Sequence, residues 1–314
     1  CQTRSGLESG LPLMSGLSID AAARAPSAAQ RAARRDRWRG ALLAGPAVLW
    51  TVAFFLLPSA AIALWSLFRR EGGVLVTSFG LDNYRRIFEQ EAYTQALLNS
   101  LQTTLLVTVI SLLLAYPLAY VIACRVPARW QRLCLMLAVL PFWTSYVVRS
   151  YAWLLVLAPE GVVNRSLMAA GLVSEPLALA FTPAATVIGF VHFFVMLCTL
   201  TIYASLVRID PKLRLAAADL GASRWQTFRR VTLPLSAPGV ASGAFLTFVI
   251  AIGDYVTPQI LGGNTELLLP QTILMQIQRR ADIPMASALW MLMMVCVTLA
   301  YLALARWLTA KKAS

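Results

Sequence analysis

Long runs without a single charged residue constrain this chain more than any other feature. Positions 40–68, 92–124, 176–207, 231–253 and 283–305 contain no Asp, Glu, Lys or Arg, and a sixth apolar stretch, 133–159, is broken only by Arg149. About 20 apolar residues cross a bilayer as a helix, so each run is long enough to span. A buried core helix of a soluble protein would be shorter and would carry a polar face, and none of the six does. The expectation is an all-α integral membrane protein of six transmembrane helices, with spans at about 41–68, 95–124, 133–158, 180–207, 238–261 and 285–308 in one domain over 41–312.

Composition agrees. Hydrophobic residues make up 59% of the 314 and charged residues 13%, against about 25% charged in an ordinary soluble domain. The formal net charge of +13 would by itself suggest a nucleic-acid partner. A mean hydropathy of +0.68 argues against that, because a nucleic-acid-binding surface sits on a water-soluble body. The basic residues instead report orientation. Counted on alternate sides of six spans, 19 of the 27 Lys and Arg fall with the two termini and the links 125–132 and 208–230, seven fall opposite, and Arg149 lies within a span. By the positive-inside rule both termini are expected in the cytoplasm.

Residues 1–40 have no apolar run and read as a flexible basic cytoplasmic tail whose Arg31, Arg34, Arg35, Arg37 and Arg39 anchor the first span. Lacking an apolar h-region, the tail does not read as a cleavable signal peptide. Met14 is a candidate translation start. The five cysteines, Cys1, Cys124, Cys134, Cys198 and Cys296, show no metal-ligand spacing and read as small apolar residues.

The link between the fourth and fifth spans holds the most local information. Asp210-Pro211 supplies an N-cap followed by proline at the first helical position, KLRLAAADL continues as helix, and Gly221 lets the chain turn. Ser223 caps a second short helix, RWQTFRRV, expected to stop at Leu233-Pro234 because proline forbids continuation. The product is a helix-turn-helix bracket displaying Leu213, Ala216, Ala217 and Leu220. It suits docking of a soluble partner and equally an amphipathic helix lying on lipid.

The segment LAAADLGASRWQTFRRVTLPLSAPGV resembles the EAA loop of ABC importer permeases. That pattern is Glu-Ala-Ala, three residues, Gly, nine residues, a branched apolar residue, one residue, then Leu-Pro. The match runs through Ala216, Ala217, Gly221, Val231, Leu233 and Pro234, while the Glu position holds Leu215, leaving Asp219 as the nearby carboxylate. The likeness extends over roughly 80–312. LDNYRRIF, ALLNSLQTTLLVT, LPFWTSYVVRSYAWLLVL, GDYVTPQILGG and IPMASAL resemble B-type permease subunits of polyamine (spermidine/putrescine) importers. The resemblance implies a type I ABC importer permease fold in the bacterial inner membrane, with 208–234 as the ATPase-coupling loop. It also implies a second permease subunit, a dimer of ATP-binding subunits, and a periplasmic or extracellular substrate-binding protein as partners.

Chemistry within the chain fits a non-catalytic subunit. No G-x-x-x-x-G-K-[ST] phosphate loop is present and the only lysines are Lys212, Lys311 and Lys312. ATP and Mg²⁺ are therefore expected on the partner ATPase, with no cofactor bound by this chain. His192 is the only histidine, so no His-based metal cluster can form. A stand-alone secondary transporter is the rival reading, and it predicts inverted internal repeats. No convincing halves are visible.

Ionisable residues inside spans are costly and face a cavity or a partner. Asp254 in GDYVTP is placed to attract a cationic substrate, with Trp143, Tyr146, Trp153 and Tyr255 as aromatic faces for its ammonium groups. The competing account has Asp254 pair with Arg149 only to neutralise both. His192 is expected to hydrogen-bond a neighbouring helix. Pro46, Pro58, Pro117 and Pro141 are expected to interrupt or end apolar helices, the freed carbonyls being satisfied by neighbours.

Overall fold

The computed structural model describes residues 44–263 and 266–313, excepting the side chains of Glu71 and 308–313. The basic tail expected over 1–40 lies outside the described residues. The chain divides into two units, the boundary falling between Ser59 and Ala60.

Helix α1 runs Ala44–Trp65. In the first unit Trp50 stacks on Phe54 at 4.2 Å, and the helix widens over Val52–Leu56, where the Leu57 N–H donates to the Val52 carbonyl. Pro58 follows directly. In a regular helix a proline ring clashes with the carbonyl four residues earlier and supplies no N–H for it. Widening the preceding turn sets that carbonyl aside, so α1 continues through Pro58 rather than ending there.

The second unit begins with the end of α1 and a two-stranded antiparallel hairpin, β1 (Arg69–Glu71) and β2 (Val74–Val76), with Arg69 opposite Val76. Its two turn residues, Gly72 and Gly73, have φ of +56° and +88°, which the tight hairpin requires. This is the one strand pair among the described residues of an otherwise helical chain. The helices that follow are α2 (Asp82–Glu89), α3 (Glu91–Cys124), α4 (Ala128–Val139), α5 (Tyr146–Leu157), α6 (Val162–Ala169), α7 (Pro183–Leu206), α8 (Pro211–Asp219), α9 (Arg224–Gly253), α10 (Val256–Leu261), α11 (Leu269–Gln278) and α12 (Ile283–Ala313).

Helices α3, α7 and α9 form the packed centre. Small residues permit it. Gly239 and Gly243 of α9 lie on one helix face four apart, and a Cβ at Gly239 would fall 2.6 Å from the Thr201 carbonyl oxygen on α7, one at Gly243 2.6 Å from Thr201 Oγ1. Backbone contact of this kind replaces the hydrophobic drive that lipid does not provide. One turn further along α9, Thr247 Oγ1 meets Cys198 Sγ at 3.2 Å in a buried contact. Ala115 and Ala119 of α3 complete the core against Cys198, Ile202 and Leu206 of α7.

Four expectations are corrected. The third apolar run is not one helix over 133–158. It breaks into α4 and α5 around a single tight turn, Leu140–Trp143, containing Pro141. The freed Pro141 carbonyl is satisfied by the Thr144 N–H at 3.3 Å, the Thr144 hydroxyl at 2.7 Å and the Arg149 guanidinium at 3.1 Å. Conversely, the helix entering Leu233-Pro234 does not stop there. The turn Phe228–Thr232 widens and the Leu233 N–H reaches back to Phe228, the same device as before Pro58, so α9 continues to Gly253. Pro117 likewise lies inside the continuous α3. The fifth apolar run instead ends at Gly253, and residues 256–261 form the separate α10.

Candidate substrate pathway and coupling loop

Asp254 sits where α9 ends. Its backbone is extended at φ −82° and ψ 125°, and Oδ1 accepts the Val256 N–H at 2.8 Å, capping α10. Oδ2 accepts a hydrogen bond from the Tyr146 hydroxyl of α5, which in turn accepts from Thr257 Oγ1 at 2.7 Å. This carboxylate at the end of a span thus has one backbone donor and one hydroxyl donor, and the three side chains join α5 to the α9–α10 junction.

Arg149 is 7% exposed and does not form an ion pair with Asp254. Besides its bond to Pro141, its guanidinium lies 5.1 Å from the centre of the Tyr146 ring and 4.6 Å from that of Phe193. Aromatic faces stabilise a desolvated cation by about 2 kcal/mol or more. Tyr146 therefore serves both charges, its hydroxyl facing Asp254 and its ring facing Arg149. The pairing expected as one account of these residues is replaced by a relay through one aromatic side chain.

Remaining pathway candidates are dispersed. Trp153 donates its indole N–H to His192 Nδ1 at 3.1 Å, joining α5 to α7. Because Nδ1 accepts, neutral His192 carries its proton on Nε2. Trp143 is 88% exposed and lines an apolar groove with Met136, Val139 and Leu140, while Tyr255 is 46% exposed. The structure brings Asp254, Tyr146 and Arg149 together and leaves Trp143, Tyr255 and Trp153 outside that cluster. Two members escaped the sequence reading, Phe193 and Thr257. Thr257 had a signal only in its place on the first turn of α10, close in sequence to Asp254.

The bracket is built by local capping. Asp210 Oδ1 accepts the Lys212 N–H at 2.9 Å, and Pro211 opens α8. At the other end Gly221 adopts φ +79°, and the Ala222 N–H closes back on the Ala217 carbonyl at 3.0 Å, a glycine-terminated helix end. Ser223 and Gln226 then exchange reciprocal bonds, Gln226 N–H to Ser223 Oγ at 3.3 Å and Ser223 N–H to Gln226 Oε1 at 2.9 Å, which starts α9.

Leu213, Leu215, Leu220 and Trp225 are exposed along this bracket, Leu220 by 88%. Ala216 and Asp219 are also exposed, and Ala217 is half-buried. Ala217, Gly221 and Val231 border a cleft of about 270 Å³ between its two arms. Leu233 is 39% exposed, and Pro234 lies half-buried inside α9. The arrangement is a rigid two-helix surface with apolar tips that the chain itself leaves uncovered.

The chain matches the family described as binding-protein-dependent transport system inner membrane component over residues 28–313. It is 34% identical to the spermidine/putrescine transport system permease protein PotB of Escherichia coli (strain K12) over 240 residues, 76% of this chain and 86% of that protein. With the inner membrane ABC transporter permease protein YdcU of the same strain it shares 32% identity over 285 residues, 86% of this chain and 89% of the other. Among solved structures, a chain of a bacterial alginate ABC transporter in complex with an alginate pentasaccharide-bound periplasmic protein superposes with a TM-score of 0.68. That match has 20% identity and covers 87% of this chain and 94% of the other. The structural likeness shows the shared fold.

Proposed function

The chain belongs to the binding-protein-dependent transport system inner membrane component family, and from that premise we propose that it is the permease subunit of an ABC importer for polyamines. It forms half of the translocation pathway beside a second permease of similar fold. A substrate-binding protein delivers solute from outside, and two ATPase copies dock on the cytoplasmic brackets, holding the ATP and Mg²⁺. The chain itself carries out no catalysis, and both of its termini face the cytoplasm.

The observation that carries the polyamine reading is Asp254. It is a carboxylate at the helix break that ends the fifth span, oriented by Tyr146 and the Val256 N–H and free of a direct basic partner among the described residues. A cationic amine passing the break finds a fixed negative charge bordered by an aromatic ring. The relatives' polyamine names support the same choice.

Coupling follows from the bracket. ATP-driven closure of the ATPases moves α8 and the first turns of α9 together, because the Ser223–Gln226 capping pair ties the turn to α9. Close packing of Gly239 and Gly243 on α7 then carries α7 with α9, so displacement at one membrane face tilts the packed centre. Leu215, where the EAA pattern has Glu, makes this contact with the ATPase apolar. Replacing Leu215 and Leu220 with Asp is expected to abolish co-purification of the ATPase while membrane insertion stays normal. Undiminished co-purification would exclude the bracket as the docking element.

A further inference from the structure

A basic pocket lies where α3 ends and the bracket begins. Arg125, the residue that terminates α3, faces Arg214 of α8 and Arg224 at the start of α9 across a cavity of about 310 Å³. No carboxylate borders this cavity, and none of the three arginines forms an ion pair among the described residues. Thr232 borders it as well. It is 1% exposed, and its Oγ1 is buried with no hydrogen-bond partner. Buried hydroxyls are nearly always partnered, so an orphan beside three unpaired guanidinium groups marks a place where an acceptor-rich group belongs.

A second, apolar groove of about 460 Å³ continues from it. Tyr120 and Phe228 line both cavities, and beyond them the groove runs between α3 and α9 past Pro117, Leu113 and Val240. The joint is held open by aromatic packing. Phe228 meets the rings of Tyr116 and Tyr120 edge-on at 5.7 Å and stacks on Trp225 at 5.5 Å. From Arg125 back to Leu113 the helix rises about 18 Å, slightly more than one leaflet of a hydrocarbon core about 30 Å thick. With the basic end at a membrane face, the apolar groove reaches about one leaflet deep.

We propose that this chain binds one anionic phospholipid, its phosphate seated among Arg125, Arg214 and Arg224 and an acyl chain lying in the groove of Leu113, Pro117 and Val240. Basic pockets between helices at a membrane face recognise such headgroups through charge-assisted hydrogen bonds. An apolar groove that continues into the bilayer selects a lipid over a free anion. The site joins α3 to both arms of the bracket, so an occupied pocket braces the coupling element against the packed centre. This inference stands apart from the identity of the transported solute.

The test is native mass spectrometry of the full chain in mild detergent, titrated separately with phosphatidylglycerol, phosphatidylcholine and inorganic phosphate. One phosphatidylglycerol is expected per chain, held more tightly than phosphatidylcholine and not displaced by phosphate. Combined Arg125→Gln, Arg214→Gln and Arg224→Gln should weaken it by on the order of 100-fold, about one factor of five per lost charge. A charge-matched control with Arg129→Gln, Arg208→Gln and Arg229→Gln should bind as the parent does. Val240→Trp, which fills the groove and leaves the arginines intact, should also weaken binding.

Equal retention of phosphatidylcholine, or unchanged binding in the pocket triple, overturns the proposal. So does displacement by inorganic phosphate with no effect of Val240→Trp, since that describes an ion site. Loss of the ATPase from the triple variant with lipid retention unchanged would assign the arginines to a protein contact and likewise overturn it.

Discussion

Replacing Gly239 with alanine tests whether α7 and α9 are held at backbone contact. An added Cβ lies 2.5 Å from Ser205 Oγ, 2.6 Å from Ser205 Cβ and 2.6 Å from the Thr201 carbonyl oxygen. The hydroxyl can rotate away, but the other two atoms belong to the frame of α7. Restoring an ordinary carbon–carbon separation near 3.5 Å requires the helices to part by roughly 1 Å. Overpacking of this sort costs about 1–3 kcal/mol, offset by the roughly 0.8–1.0 kcal/mol by which alanine favours helix over glycine. A net loss of up to about 2 kcal/mol remains.

Two neighbouring glycines calibrate the result. At Gly243 the closest atom is the Thr201 hydroxyl at 2.6 Å, with the next at 3.5 Å. That hydroxyl can turn at the expense of its 3.0 Å bond to the Cys198 carbonyl, so Gly243→Ala should be near neutral. At Gly253 a Cβ meets nothing within 4 Å, so Gly253→Ala should be neutral or slightly stabilising. Thermal unfolding in one detergent should rank them Gly253→Ala highest, then parent and Gly243→Ala, then Gly239→Ala. A Gly239→Ala protein melting at or above the parent would refute the close-contact account.

Three further outcomes are expected. Gly221→Val forces a β-branched residue to φ +79°, a conformation costing about 1–2 kcal/mol, and should depress uptake more than membrane insertion; unchanged uptake would favour a carrier independent of the bracket. Asn164 is fully buried, donates to the Ala158 and Leu177 carbonyls at 3.0 Å and accepts the Leu177 N–H at 2.9 Å. Asn164→Ala strands those groups at about 1–3 kcal/mol and should expose the 158–177 segment to limited proteolysis, whereas parental resistance would contradict its bracing role. Tyr146→Phe keeps the ring over Arg149 but removes the donor to Asp254, so polyamine KM should change while insertion is normal; an unaltered KM would remove Tyr146 from the pathway.

The six-helix architecture was legible because absence of charge is a one-dimensional signal, and lipid demands it of every exposed helix. The helix boundaries at prolines were less so. Pro141, Pro234 and Pro58 look alike in sequence, yet the first breaks a span and the other two follow a widened turn that lets the helix pass. At Pro58 and Pro234 a widened turn sets aside the carbonyl behind the ring, whereas at Pro141 the chain leaves the helix and Pro141's own carbonyl takes its donors from Thr144 and Arg149. At the candidate site, the sequence exposed both charges but left open whether Asp254 faces the substrate or pairs with Arg149. Only three-dimensional packing placed Tyr146 between them and brought Phe193 in from α7. The Gly239-x-x-x-Gly243 spacing, which suits close helix approach, is present in the sequence but went unread, because nothing nearby distinguishes it from other small residues in an apolar run.

Uptake of labelled solute by vesicles carrying the complete complex decides whether this permease serves a polyamine importer. The account predicts ATP-dependent accumulation of spermidine or putrescine, competed by other polyamines and reduced at least tenfold by Asp254→Asn, which removes a charge interaction of more than about 1.4 kcal/mol. Accumulation of an anion such as sulfate in place of polyamines, or polyamine uptake that persists without ATP, would contradict it.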